Sequence, residues 1–262
     1  MWKVNRTTVF ALSLGAPFLV HASQPLETES ATVLQTGEQS VEAAVEYQTS
    51  SEGTETAFPF VYDYGITDRL ELSIEPVLFS TVRPKMGKSA SGFGDTEVTL
   101  KWLLLPESDQ RPAVALGAEL KLPTAKDALI GTGKTDYRGF VAGSKRLGRF
   151  DLHVNLGYSV LGSPRGTSLD NIYDYAIAIE DHESDALDIV AELLGNSSAT
   201  GNEPGTIVSG GENQLTPEAT GNELVALVGV RYRVRPGLSL AFGATYDNNN
   251  ALVLRPGFNF AW

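Results

Sequence analysis

A chain of 262 residues without cysteine can build no disulfide framework, thiolate metal site or cysteine nucleophile, and three histidines leave little for a histidine-based metal centre. Its formal charge of −12 argues against nucleic acid as a partner, because phosphate binding needs clustered lysine and arginine. Hydrophobic content of 42% is ordinary for many classes, so the pattern along the chain has to choose the fold.

At the N-terminus "MWKVNR" supplies Lys3 and Arg6, "TVFALSLGAPFLV" is an apolar run, and "VHA" puts Val20 and Ala22 where a signal peptidase wants short side chains. Residues 1–22 are expected to be a secretory signal cut after Ala22. The run is shorter than the roughly 20 apolar residues of a spanning helix, and nothing later approaches that length. Residues 23–38 are expected to form a periplasmic N-terminal segment, and 39–262 a single domain.

From residue 39 the sequence reads as short segments alternating with a period of two, which puts successive side chains on opposite faces of a strand. "SVEAAVEYQT" sets Val41, Ala43, Val45 and Tyr47 against Glu42, Glu46 and Gln48. "AFPFVYDY", "RLELSIE", "TEVTLKWLL" and "AVALGAELKL" follow, with Glu71 and Glu75, then Glu97 and Lys101, then Glu119 and Lys121 on the polar parity. In "DYRGFVAGSK", Tyr137 and Phe140 fall on opposite parities, which a β-bulge would reconcile. "FDLHVNLGYSV" repeats the design with Asp151, His153 and Asn155 on its polar face. "YDYAIAIE", "ALDIVAELL", "NELVALVGVRYR", "LSLAFGATY" and "ALVLRPGFNFAW" bring the strands to about twelve.

Links after even strands are short ("GITD", "PESDQR", "RLGR", "DHES", "VRPG"), whereas most others are longer and rich in Gly, Ser, Thr and Asn. Residues 195–221 are the extreme. Short turns at one end and long loops at the other is the asymmetry of an outer-membrane barrel. On the apolar parity, Tyr62, Tyr64, Trp102, Phe150, Tyr232 and Trp262 lie toward the short turns, and Tyr47, Tyr158, Tyr173 and Tyr246 toward the long loops. Two aromatic girdles result, because these rings favour the membrane–water boundary. The expectation is an all-β transmembrane antiparallel up-and-down barrel in the Gram-negative outer membrane, with both termini periplasmic. Its partners are the lipid bilayer and, during biogenesis, the barrel-assembly machinery, whose recognition signal the terminal Trp262 resembles. Closing the sheet on itself sets Trp262 near residue 40 and brings Arg255 close to Glu46 inside the lumen, within about two residues.

The inward face carries the candidate selectivity residues Glu42, Glu46, Glu71, Glu75, Glu97, Lys101, Glu119, Lys121, His153, Arg231 and Arg255, with Arg69 and Arg233 as further bases. Acids outnumber bases. These charges either line a water-filled passage or pair across strands and fill the interior, Glu71 with Lys101 for instance, and strand number does not decide between the two. "ALIGTGKT" (128–135) imitates a phosphate-binding loop, but Ala128 replaces the first glycine and a strand follows where a helix should, so it reads as an ordinary loop. A hydrolase using His153 is a third reading. It lacks a sequence-marked nucleophile.

Over nearly its whole mature length the chain resembles the outer-membrane "transporter" family labelled phenol meta-pathway degradation-like. The resemblance rests on "PLETES" at 25–30, "YGITDRLELSIEPVL" at 64–78, "GFGDTEVTLKWLLL" at 92–105, "LGAELKLPTA", "GTGKTDY" and "FDLHVNLGY". It implies a barrel that passes small solutes, aromatic or hydrophobic compounds among them, with no defined set of binding residues. The long acidic insertion between Gly195 and Gly221 departs from it. The expected function is a passive channel for small solutes, not an enzyme, with no cofactor and no metal. The alternative is a non-conducting structural or surface-interaction barrel.

Overall fold

The computed structural model describes residues 25–166, 168–199 and 222–262. The signal sequence expected at 1–22, His21 within it, and most of the loop 195–221 lie outside the described residues. The strands are β1 (Gln39–Ala44), β2 (Glu46–Thr49), β3 (Gly53–Thr67), β4 (Leu70–Pro84), β5 (Ala90–Gly92), β6 (Thr96–Leu105), β7 (Ala113–Leu122), β8 (Asp136–Leu147), β9 (Phe150–Val160), β10 (Ile172–His182), β11 (Leu187–Asn196), β12 (Glu223–Arg235), β13 (Leu238–Asp247) and β14 (Leu252–Ala261). No described helix is long and apolar enough to cross a membrane.

These elements make a closed antiparallel barrel of twelve staves. β1 and β2 are one stave. Val45 sits opposite Pro256 and donates its N–H to the Pro256 carbonyl at 2.9 Å, but proline has no N–H to return, so the ladder is nicked there while its register continues. β5 is a short strand of the β4–β6 loop that folds back on Ser80–Val82. Every other neighbour in the chain is a neighbour in the sheet, and closure comes from β14 pairing with β1 and β2. Ser40 faces Ala261, and Gln39 and Trp262 exchange backbone hydrogen bonds of 3.1 and 3.0 Å.

Closure assigns every second residue to the outside. Leu156, Val228, Ile177, Leu193 and Phe242 stand exposed around the middle of the wall. Tyr64, Trp102, Tyr232 and Trp262 are exposed toward the short turns, with Tyr62 and Phe150 half-buried beside them, and Tyr47, Tyr158, Tyr173 and Tyr246 toward the long loops. Tyr62 donates its hydroxyl to Gln39 at 2.8 Å, while Tyr158 and Tyr173 pair with ring centroids 4.8 Å apart. The outward surface is thus an apolar belt with aromatic rims.

Two details correct the sequence reading. β8 has no bulge: its register against β7 and β9 is continuous, and Phe140 points inward. Its ring fills the space a side chain at Gly117 would take, since a Cβ there would lie 2.0 Å from the ring edge. Arg69 is exposed in the turn after β3, at the rim rather than on the lumen wall.

Leu156 is 63% exposed at mid-strand, so an arginine there would face the belt's surroundings. Leu156→Arg is expected to cost about 2–4 kcal/mol of folding stability in lipid. Urea unfolding of vesicle-reconstituted protein measures it, and an unchanged midpoint would mean that this face does not meet hydrocarbon.

Candidate functional site

The lumen holds a second stretch of chain. Residues 25–34, expected in the periplasm, run inside the barrel instead, and the physical reason is a row of wall side chains that take up their backbone groups. Glu27 donates its N–H to Glu192 at 3.0 Å, Glu29 to Asn155 at 2.6 Å, Ala31 to Ser144 Oγ at 2.8 Å and Leu34 to Glu71 at 2.6 Å. Asn155 also donates to the Glu29 carbonyl at 2.8 Å, and the Thr28 hydroxyl bonds Glu192. The segment's acids meet wall cations: Glu27 lies 2.8 Å from Arg255 and Glu29 lies 3.0 Å from Lys101.

Small residues on the wall make room for it. Pro25 rests on Gly229 and Gly243, which face each other across β12 and β13; a Cβ on either would come within 2.7 Å of the proline ring. Leu26 packs on Ala178, Val190 and Leu227, and Ala31 on Ala113, Ala115, Phe140 and Ala142. At the short-turn end Gly65 lets the backbone at Gln35 pass, and Thr36 donates its N–H and hydroxyl to Asp68 at 3.1 and 2.5 Å. Those two donors hold the exposed Asp68 carboxyl below its ordinary range. The latch is intact at neutral pH and is lost as pH falls through that lowered value.

The wall charges form compact networks, as buried charges must. Arg255 Nε lies 2.6 Å from Glu46, the contact expected from the closing seam, and Lys101 lies 3.1 Å from Glu71. Glu42 accepts from Asn259 at 2.8 Å. Arg231, 1% exposed, meets Glu180 at 2.7 Å and Asp188 at 3.4 Å, and Arg233 meets Asp188 at 2.5 Å. His182, at the end of β10, sits between Asp188 at 2.7 Å and Asp151 at 2.9 Å.

His153 faces the lumen between Ser144 and Glu180. Nδ1 is 2.8 Å from Ser144 Oγ and Nε2 is 3.3 Å from a Glu180 oxygen. Hydroxyl, imidazole and carboxylate in line make a nucleophile relay in other settings. Here Ser144 Oγ accepts the Ala31 N–H, which leaves its own proton for Nδ1, and both residues are 4% exposed. The line acts as a bracket for the segment. Ser144 is the partner that sequence reasoning missed, and its only signal was its place on the inward parity opposite His153.

Above the segment, toward the long loops, a cavity of about 110 Å³ is bounded by Glu27 on one side and by Ser159, Ile172 and Asn196 at strand ends on the other. Arg138 reaches into it, bidentate to Asp174 at 3.2 and 2.6 Å, 3.2 Å from Glu119, and 4.7 Å over the Phe140 ring. A Cβ at Gly157 would overlap the Asp174 carboxylate, so the glycine makes that pairing possible. Lys121 is spent on Asp136 and, at 3.8 Å, Asp95. Glu97 and Glu75 face each other across β6 and β4, with Glu97 flanked by Lys121 on β7. Glu192 and Glu223 complete the acidic lining. The residues proposed from sequence therefore divide in three: Glu97, Glu119 and Lys121 line the cavity, Glu46, Glu71, Lys101, His153 and Arg255 hold or back the internal segment, and Glu42, Glu75 and Arg231 stand elsewhere on the wall beside Asn259, Glu97 and Glu180. The loop 128–135 buries Ile130 against Val82, Ala90 and Ala125 and leads into β8, as an ordinary loop does.

Arg231 is the guanidinium partner of buried Glu180 and shares Asp188 with Arg233, so removing it leaves Glu180 without its arginine and Asp188 with one fewer cation. Arg231→Met is expected to cost about 3–5 kcal/mol, and Glu180→Gln with Asp188→Asn in the same chain to recover part of the loss. Urea midpoints of the three proteins decide it; a neutral single variant would mean the network is solvated.

In fold, the chain is similar to the NanC porin, with 12% identity over 84% of this chain and 98% of that one and a TM-score of 0.58. It is likewise similar to the KdgM porin in complex with disordered oligogalacturonate, with 11% identity over 84% and 98% and a TM-score of 0.55. At such identities the likeness is one of fold, that of porin-like outer-membrane barrels. No curated protein matches the chain in sequence. Residues 22–260 match the family described as "Putative MetA-pathway of phenol degradation", and the chain belongs to that family.

Proposed function

We propose that the protein is an outer-membrane channel for small solutes. The observation that carries this reading is the charged cavity in the upper lumen, with its mouth among the long loops. Side chains that only filled an interior would leave no such space. With the long loops facing outside, the cavity is an extracellular vestibule, Trp262 marks the periplasmic rim, and the chain enters the lumen from that rim at Thr36. Residues 1–22 act as the export signal, and the apolar belt faces lipid.

The substrate class follows from charge. Both cations of the vestibule, Arg138 and Lys121, are held by acids of the wall, whereas Glu97 and Glu75 face one another across strands with no ion pair among the described residues. Fixed negative charge on a narrow wall concentrates cations and repels anions. Cations and neutral molecules, aromatic ones included, are favoured over polyanions of the kind the fold relative holds. We assign no catalytic role to His153, because Ser144 accepts from the internal segment and Glu180 is paired with Arg231.

A planar bilayer decides between channel and structural barrel. Channel openings are expected, with reversal potentials in a potassium chloride gradient that show cation preference. That preference is expected to fall when Glu75 and Glu97 become Gln together, and to weaken toward 1 M salt, where screening shortens to about 3 Å. Silence from folded protein, including variants that free the lumen, would favour a structural barrel. Anion preference would overturn the selectivity.

A further inference from the structure

We propose that residues 25–34 are a removable gate, which leaves the lumen as a unit while the barrel stays closed around it. The proposal rests on the channel reading, and it concerns how that channel opens. Four observations carry it.

The segment is held by side chains alone: among the described residues, no backbone–backbone hydrogen bond joins 25–34 to a wall strand. Its departure therefore breaks no part of the sheet. Three of the wall groups that grip it also have wall partners of their own: Lys101 keeps Glu71, Arg255 keeps Glu46, and Ser144 keeps His153. Withdrawal strands neither cation, which is the usual large penalty for breaking a buried ion pair. The seat is nonetheless specific, because the three atoms nearest to a Cβ placed at Gly243 all belong to Pro25, so that the glycine makes room for the segment. Finally, the segment joins β1 through a turn in which Gly37 has φ of 86°, a backbone freedom that glycine supplies at low cost, and the adjoining Thr36–Asp68 latch is exposed.

The carboxylates of Glu27 and Glu29 are the gate's own charges, and Arg255 and Lys101 are their sockets. Closed and open are two states whose ratio follows the interactions present only in the closed one. Weakening the seat from either side shifts the ratio the same way.

The absence of native cysteine makes the test clean. Ala31 and Ala115 are both fully buried in one packed cluster, so Ala31→Cys with Ala115→Cys, joined by a disulfide or by a short reducible bis-methanethiosulfonate linker, pins the segment. In planar bilayers the oxidised protein is expected to lose its openings and to regain wild-type behaviour on reduction. Gly243→Val, which intrudes first on Pro25, is expected to raise the open fraction at least tenfold, and Glu27→Gln with Glu29→Gln to do the same. In each releasing variant, a lone Ala31→Cys should react at least tenfold faster with a soluble maleimide. Equal currents from oxidised and reduced protein would overturn the gate and leave the channel standing. Faster labelling without current would overturn the channel and the gate with it. Unchanged labelling and current in both releasing variants would make the segment a permanent part of the wall.

Discussion

Everything in this molecule depends on one constraint: a sheet with apolar surroundings can leave no backbone edge unbonded. Each unsatisfied N–H or C=O in hydrocarbon costs several kcal/mol, so the first and last strands must meet. Gln39 and Trp262 complete that seam with a reciprocal pair of hydrogen bonds. Closure fixes which residues face in, and the inward parity is where the charged residues stand. The interior is then a narrow space crowded with acids and bases that have to find partners. The ion pairs across strands, the seating of the N-terminal segment and the remaining cavity are all answers to that crowding.

The N-terminal segment is best understood as a twelfth-hour solution to the same problem. A twelve-stave barrel is wider than the small barrels that side chains fill alone and narrower than those that keep an open aqueous channel. Residues 25–34 supply the missing volume in the half near the short turns, and bring Glu27 and Glu29 to cations on the wall. The half near the long loops keeps its cavity, with Arg138 braced between Glu119 and Asp174. One lumen thus has a filled part and an open part, and the boundary between them falls at Glu27.

How much of this could be read in the sequence depended on periodicity. Parity and antiparallel pairing alone place Arg255 by Glu46 and Glu71 by Lys101, because register follows once the seam is drawn. Phe140 defeated the same reasoning. Its partner in space is an absence, the missing side chain of Gly117, and alternation cannot show where a neighbour has made room. The segment was illegible for a related reason: "PLETES" has too few residues to display a period, and its contacts scatter over strands from β4 to β14. The traces it left are Glu27 and Glu29 two residues apart, and the wall glycines Gly65, Gly229 and Gly243, which make sense only once the segment lies against them. Ser144 was likewise visible as an inward residue and invisible as a partner of Ala31.

The chain before β1 lies inside the barrel and is held there by wall side chains. Amide hydrogen exchange of the folded protein in lipid measures this most directly. On this account the amides of Glu27, Glu29, Ala31 and Leu34, which donate to Glu192, Asn155, Ser144 and Glu71, exchange far more slowly than those of a free terminus. Their exchange should quicken together in Gly243→Val while the β1–β14 seam stays protected. Exchange of these four amides at the rate of an unstructured peptide, in the wild-type protein, would contradict it.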